Sequence, residues 1–368
     1  MKILITGATG FVGGATVKAL LQRGLQDQLR FLVRAETPAE GLTRLRHSLA
    51  RFEVDEAALE LLTASQLILG DLADVPGFAD DPRLDTVTHV VNCAAVASFG
   101  NHPRIWPVNV DGTFAFAQRM AAVGGLQRFL HIGTAMACGP GQERFVGESW
   151  NMPAREHHLV TYTASKAEVE RQMSERLPGL PLVVVRPSIV VGHSRLGCAP
   201  SSSIFWVFRM GHEIDHFMCD LDDYVDIIPV DYCAEAISHL LLSESLCWNL
   251  YHVSAGRAGA CKLRDIYLAM NRAGKVDSEA ITYRRISKDQ IGALVPMFQQ
   301  KLGIGNRRLL ARALSLYGSF SALHYVFDNL RLLAEGTLPP PRFTDYIDVC
   351  MRSTAGMSLK EQMLDDFK

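Results

Sequence analysis

The sequence predicts an α/β fold, a doubly wound parallel sheet with a smaller, mainly helical C-terminal domain. Three observations carry this. Short continuous apolar runs recur through the first half, separated by stretches with helical spacing. A glycine-rich turn, Gly7-Ala8-Thr9-Gly10-Phe11-Val12-Gly13, joins the first run to the first helix. Helical patterns dominate after residue 262. Strands that are apolar throughout, rather than alternating, suit a parallel sheet covered on both faces.

Residues 2–6 form the first predicted strand, and residues 11–23 a helix with Val12, Ala15, Ala19 and Leu20 on one side. Residues 29–33 are the second strand; 38–51 are a helix with Glu40, Arg44, Arg46 and Arg51 on its polar face. The third strand, 66–69, stops at Gly70-Asp71, and 89–93 is the fourth. Residues 104–123 are helical up to Gly124-Gly125, and 129–132 is the fifth strand. Residues 162–177 are helical up to Pro178-Gly179, and 182–185 is the sixth strand. Regularity then breaks. The Ser-rich 201–203 and the mixed 204–223 read as an insertion, before short strands at 224–229 and 250–254 flank a helix over 230–243.

Composition narrows the function classes. The 368 residues carry 37 basic and 39 acidic side chains, a formal charge of -2, with 48% hydrophobic residues, which excludes disorder. A near-neutral chain with no basic block argues against nucleic acid as a partner. The eight cysteines are dispersed without a C-x-x-C pair, against a zinc ribbon or redox dithiol. The leading apolar run is too short for a signal peptide. The longest apolar stretch, 309–327, contains Arg312 and His324, so no transmembrane span is expected and the expected location is cytoplasmic.

The glycine turn lies where strand gives way to helix, the Rossmann-like position at which a pyrophosphate meets backbone N–H groups. Gly7, Thr9, Gly10, Phe11, Val12 and Gly13 are therefore candidate cofactor-binding residues. At the end of the second strand, an NAD site places an acid against the ribose hydroxyl. Here Arg34 stands there, with Arg44 or Arg46 near enough in sequence to assist, which favours the 2′-phosphate of NADP(H). Asp71 and Leu72, after the third strand, are placed for the adenine. Ala94 lies just past the fourth strand, at the sheet edge where such folds bind ligands.

Tyr162 and Lys166 are four apart on a predicted helix and share a face. A phenol titrates near 10, and a neighbouring ammonium is expected to lower that value and let it exchange protons with a carbonyl or alcohol oxygen. Thr134 ends the fifth strand, 28 residues before Tyr162, where its hydroxyl can polarise the same oxygen. Asn109 sits mid-helix, an unfavourable place for Asn, and is a candidate to bond backbone or order water in the proton path. Pro187, Ser188 and Val190 follow the sixth strand, positioned for the nicotinamide.

Taken in order, the glycine turn, Gly70-Asp71-Leu72, Asn109-Val110-Asp111-Gly112-Thr113, Thr134, Tyr162-x-x-x-Lys166 and Arg186-Pro187 resemble an extended short-chain dehydrogenase/reductase. The resemblance covers 1–192 and resumes at 224–254. Within that superfamily, Phe31-Leu32-Val33-Arg34 with Leu42-Thr43-Arg44-Leu45-Arg46, His131-Ile132-Gly133-Thr134-Ala135 and Tyr224-Val225-Asp226-Ile227-Ile228-Pro229 resemble the thioester-reductase and fatty acyl-CoA reductase branch of male-sterility type. Gly133 replaces the Ser usual in that branch, and Met136 stands near its aromatic position. The resemblance implies NADPH-dependent reduction of an acyl thioester to an aldehyde or alcohol. The thioester is expected as a CoA ester or on a separate acyl carrier protein.

The expected domains are 1–192 with 224–255 for the cofactor, and 193–223 with 256–368 for the substrate. His212 and His216 share a helix face but lack further ligands, so no metal is expected. His157 and His158 read as surface loop residues or substrate contacts. The apolar helical region 307–336 suits an acyl lid, a peripheral membrane face, or core and dimer packing. Two other readings stay open: the same chemistry on a ketone, sterol or sugar nucleotide, epimerisation included, and a non-catalytic NADP-sensing protein.

Overall fold

A computed structural model describes residues 1–100, 102–201, 203–274 and 281–366. Ser202, in the Ser-rich stretch, lies outside them. In chain order the main elements are β1 (Ile3–Thr6), α1 (Phe11–Leu21), β2 (Leu29–Val33), α2 (Pro38–Ala50), β3 (Leu67–Leu69) and β4 (His89–Asn92). There follow α3 (Thr113–Ala121), β5 (Arg128–Ile132), α4 (Thr161–Arg176), β6 (Leu182–Pro187), α5 (Phe205–Ile214), α6 (Val230–Leu242) and β7 (Leu250–Val253). The chain ends in α7 (Leu263–Ala273), α8 (Ile291–Leu302), α9 (Arg307–Ser321), α10 (Phe343–Ser353) and α11 (Leu359–Asp366).

The seven strands form one sheet in the order β7-β6-β5-β4-β1-β2-β3, every pair parallel. Ile3 and Ile5 pack with Phe31 and Val33 on one face, against Val17, Leu20, Leu45, Ile237 and Leu240. Leu4 and Leu32 pack on the other, with Val90, Phe116, Phe129, Val169 and Met173. Both faces are thus apolar, which is why the strands read as unbroken apolar runs. Strand order reverses between β1 and β4, and the carboxyl edge there opens the crevice in which such sheets bind ligands.

Local signals set the helices. Thr37 caps α2, accepting from Glu40 N at 3.2 Å, with Pro38 in the first turn. By contrast, α1 has no side-chain cap, so its first N–H groups face the glycine turn. The helix expected over 104–123 is broken by a π-helical segment, Pro107–Gly112, ahead of α3. The strand expected over 224–229 is two short arms. Tyr224–Val225 pairs antiparallel with Cys261–Lys262, and Ile227–Ile228 pairs parallel with Ile189–Val190. Between them the buried Asp226 carboxylate accepts from Ala255 N at 2.8 Å and Phe327 N at 2.9 Å, tying three distant segments together.

A separate core holds the helical region, with Trp206, Met210, Phe298, Leu310 and Leu314 at its centre. Val326 and Leu332 return to the sheet and pack beside Tyr251 and Val253. Among the described residues, no helix is long and apolar enough to cross a membrane. The eight cysteines are free thiols, six of them buried.

Candidate active site

The glycine turn is an open cradle. Gly7 has φ +69°, and a Cβ there would lie 2.7 Å from Ala94 N. A Cβ on Gly13 would overlap the Gly7 carbonyl oxygen. Only glycines let β1, the turn and the start of α1 close this tightly, and they leave uncapped helix N–H groups at the surface of a cavity of about 470 Å³. This is a fitting seat for a pyrophosphate.

The same cavity is lined by Gly7, Gly10, Phe11, Val12, Gly13, Thr134, Tyr162, Lys166, Pro187, Ser188 and Val190. The sheet edge delivers most of them, and α4 brings Tyr162 and Lys166 over it. Lys166 Nζ donates to Ile132 O at 2.7 Å and so fastens α4 to the end of β5. Thr134 Oγ1 accepts from Met136 N at 3.3 Å, capping the next turn. That bond uses a lone pair and leaves the hydroxyl proton free to donate into the cavity.

Asn109 does not line the cavity. Its Oδ1 accepts from Val96 N at 2.8 Å, and its Nδ2 donates to Val96 O at 3.2 Å and Ser165 Oγ at 3.1 Å. Ser165 Oγ in turn donates to Tyr162 O at 2.7 Å. The π-helical segment places this buried amide between the loop after β4 and α4. Of the two roles expected for Asn109, backbone bonding is the one seen.

The electrostatics correct one expectation. The Tyr162 phenol is not lowered: burial, helped by the negative charge of Glu170, pushes it up to about 12. Lys166 is lowered to about 8 by burial, with Glu170 and Cys93 opposing the fall. Desolvation is the largest cause of both shifts, and the ammonium is directed at the Ile132 carbonyl.

Glu170 is a residue the sequence reading missed. It lies one turn beyond Lys166, fully buried, and its Oε2 accepts from Arg186 Nε at 2.9 Å and Nη2 at 2.7 Å. Its Oε1 has no partner and rests against Gly133, where any Cβ would overlap it. That contact explains the glycine beside Thr134. The spacing Tyr162, Lys166, Glu170, four and four, was the available signal. Beneath the site, Thr6 Oγ1 donates to Asn92 Oδ1 at 2.6 Å and Asn92 Nδ2 lies 3.1 Å from His131 Nδ1, a polar ladder across β1, β4 and β5.

At the far end of the turn, Arg34 and Asp71 approach to 3.9 Å, and Arg104 closes a tighter bridge to Asp71. Burial opposes ionisation of Asp71, but the Ala73 N–H, Arg104 and Arg34 together hold its carboxyl below the ordinary range. Arg44 Nη1 donates to Arg34 O at 2.8 Å and braces it. Arg46 does not assist: it donates to Glu60 O and Leu62 O, away from the turn. Thr9 O accepts from Ser48 Oγ at 2.7 Å, Leu72 is buried in the core, and Ala94 N donates to Thr6 Oγ1 at 3.1 Å. None of Thr9, Arg34, Arg44, Asp71, Leu72 or Ala94 is among the cavity-lining residues, although Cys93 and Ala95 are.

The sequence profile of the male sterility protein family, an NAD-binding family, matches residues 5–237. The chain belongs to that family. It is an NAD(P)-dependent oxidoreductase of the extended short-chain dehydrogenase/reductase type. An aldehyde reductase of Aspergillus flavus, lnaA, is 27% identical over 343 residues, covering 83% of this chain and 32% of that protein. The chain spans about a third or less of the length of the first curated relatives it matches. Among solved structures, the terminal R domain of the myxalamid PKS-NRPS pathway superimposes with a TM-score of 0.77 at 20% identity, covering 96% of this chain and 90% of that one. UDP-glucose 4-epimerase of Thermus thermophilus, in complex with NAD, gives 0.63 at 20% identity, covering 97% and 100%. These two likenesses show the fold.

In this male sterility family chain the cavity continues from Tyr162 into an apolar lobe. Val207 and Phe208 of α5, Ile266 and Met270 of α7, and Tyr317 and Phe320 of α9 are among its walls. Phe99 closes it over Tyr162, 5.8 Å from that ring and stacked on Phe320 at 5.0 Å. Leu310, Leu314 and Tyr317 of α9 are buried within the chain, so this side of the 307–336 region forms core and cavity wall and not a membrane face. His212 Nε2 pairs with Asn271 Oδ1 at 2.7 Å and His216 Nδ1 with Ile214 O at 2.6 Å, which turns the two imidazoles to different partners. His158 Nδ1 lies 3.2 Å from Thr163 Oγ1, beside the first turn of α4.

Proposed function

We propose that the chain is an NADPH-dependent reductase of acyl thioesters, releasing an aldehyde. The observation that supports this best is one cavity with the glycine turn on one side, Thr134, Tyr162 and Lys166 above the sheet edge, and an apolar lobe beyond. A long or aromatic acyl group suits that lobe. The Aspergillus relative carries the name aldehyde reductase, and the R-domain likeness agrees with a thioester as substrate.

The bound cofactor would supply a hydride to the thioester carbon. The turn Gly7–Gly13 would hold its pyrophosphate, and Arg34, braced by Arg44, the 2′-phosphate of NADPH in preference to a bare ribose. Thr134 donates its hydroxyl proton as a hydrogen bond to the carbonyl oxygen, and Tyr162 delivers a proton there as negative charge develops. A phenol held near 12 stays protonated in the resting enzyme and is ready to act as the acid. Lys166 fixes α4 through Ile132 and supplies positive charge beside the phenolate left behind. The resulting hemithioacetal expels thiol and becomes the aldehyde. Phe99, Tyr317 and Phe320 keep water from the reacting carbon.

The test is NADPH consumption with a panel of acyl thioesters, with free thiol measured in parallel. Tyr162→Phe should abolish turnover and keep NADPH affinity. Turnover of ketones with every thioester inert would overturn the proposal, as would an unimpaired Tyr162→Phe enzyme.

A further inference from the structure

We propose that a cationic groove outside Phe99 binds the phosphate at the far end of a pantetheine arm. The inference rests on the thioester reading and names how the thioester is held. The groove has a volume of about 580 Å³ and shares one residue with the catalytic cavity, Phe99. The phenyl ring is therefore the partition between the two. On the inner side it touches Tyr162; on the outer side it meets the start of α4, where Val160 leaves the first turn without a side-chain cap.

Three cations from three separate segments converge on the groove: Arg155, Lys288 and Arg312. Glu156 is the lone carboxylate in its lining. The local charge is thus positive in a chain whose formal charge is -2. The Arg155 guanidinium lies over the Trp106 ring, 3.9 Å from its centre, a contact that holds it in place without neutralising it. Arg312 lies on α9, the helix that also gives Tyr317 and Phe320 to the catalytic cavity. Among the described residues none of the three closes an ion pair with a carboxylate.

An acyl thioester on pantetheine has an apolar acyl end, a neutral amide arm and a phosphate. These match in order the apolar lobe, the passage beside Phe99, and the cationic groove. Arginines bind phosphate through paired N–H groups, and lysine adds a point charge. CoA and a carrier protein both present this phosphate.

The test compares one acyl group on 4′-phosphopantetheine, pantetheine, CoA and a loaded carrier protein, with wild type, Arg312→Ala and Lys288→Ala. Both side chains are exposed, so the variants should fold normally. The phosphorylated donors should have kcat/KM about tenfold above acyl-pantetheine, mainly through KM. Each variant should lose most of that margin and leave acyl-pantetheine unchanged. Given that margin on acyl-4′-phosphopantetheine, its extension to CoA assigns CoA as a source, and its extension to the carrier and not to CoA assigns the carrier. Equal turnover with and without phosphate, or equal loss on both, would overturn the groove. If no thioester is reduced, the thioester reading falls, and calorimetry with 4′-phosphopantetheine against pantetheine judges the groove alone. Equal or undetectable binding of the two overturns it; phosphate-dependent binding that Arg312→Ala abolishes upholds it.

Discussion

Adding a single methyl group at Gly133 should disable this protein. In Gly133→Ala the new Cβ falls on Glu170 Oε1 and 3.2 Å from its Cδ. Ordinary packing needs roughly 3.5 Å between such atoms, so the carboxylate oxygen must retreat by about 1.5 Å. It has no free direction. Its other oxygen is held by Arg186 Nε at 2.9 Å and Nη2 at 2.7 Å, and Arg186 Nη1 is itself tied to Ser149 O at 2.8 Å. A retreat of that size breaks a buried ion pair, which costs about 3 kcal/mol. With an unfolding entropy of about 2.1 cal/mol/K per residue, that lowers Tm by roughly 4 °C in a chain of this length. Displacement next to Thr134 should also reduce kcat, by up to about 100-fold. Thermal unfolding and steady-state rates measure both. A Gly133→Ala protein with wild-type Tm and kcat would refute the account of Glu170 as a fixed buried wall.

Other predictions follow from the same geometry. Lys166 should lose its proton as pH rises through about 8, so kcat/KM should fall on the alkaline side with one ionisation there. Glu170 raises the Lys166 value, so Glu170→Gln should move that limb to lower pH; an unmoved limb would count against the assignment. Asn109→Ala strands Val96 N–H and Val96 O and frees Ser165, and should cost about 2 kcal/mol in chemical denaturation and lower kcat more than it raises KM. Arg34→Ala should weaken NADPH binding about tenfold and leave NADH nearly unchanged, read by fluorescence titration. Equal loss for both cofactors would point to a structural role.

Much of the sheet was legible because its strands carry a simple demand. Ile3 and Ile5 serve one face and Leu4 the other, so no polar residue is tolerated between them. The glycine turn and the Tyr162–Lys166 pair were legible because each depends on spacing within one element. What stayed hidden depends on partners far along the chain. The π-helical segment exists around Asn109, whose bonds reach Val96 and Ser165. The two-residue strand Phe145–Val146 pairs with Val326–Phe327, about half the chain away, and no local pattern announces it. The direction of the Tyr162 shift depends on how deeply the packed chain buries the phenol, which the spacing of Tyr162 and Lys166 does not carry. Gly133 was visible as a departure from the family pattern, but its meaning needed the buried carboxylate beside it.

The division between what the sheet does and what the helices do has a chemical consequence. The sheet edge offers the same tools wherever it occurs: a seat for a dinucleotide, a hydroxyl, a phenol and an ammonium. Those tools suit hydride and proton transfer but do not select what receives them, and reductases and epimerases share the architecture. Selection must therefore come from groups above the edge. Here these are Phe99 from the loop after β4, Val207 and Phe208 from α5, Ile266 and Met270 from α7, and Tyr317 and Phe320 from α9. They arrive from four separate stretches of chain; Asp226, which also lines the cavity, ties the strand arms to Ala255 and Phe327 beside them. If acyl specificity lies in this lobe, exchanging Phe320 or Met270 for smaller residues should change which acyl groups are reduced. The Tyr162-dependent step should stay intact, because neither side chain bears on the hydrogen bonds that hold Thr134 and Lys166.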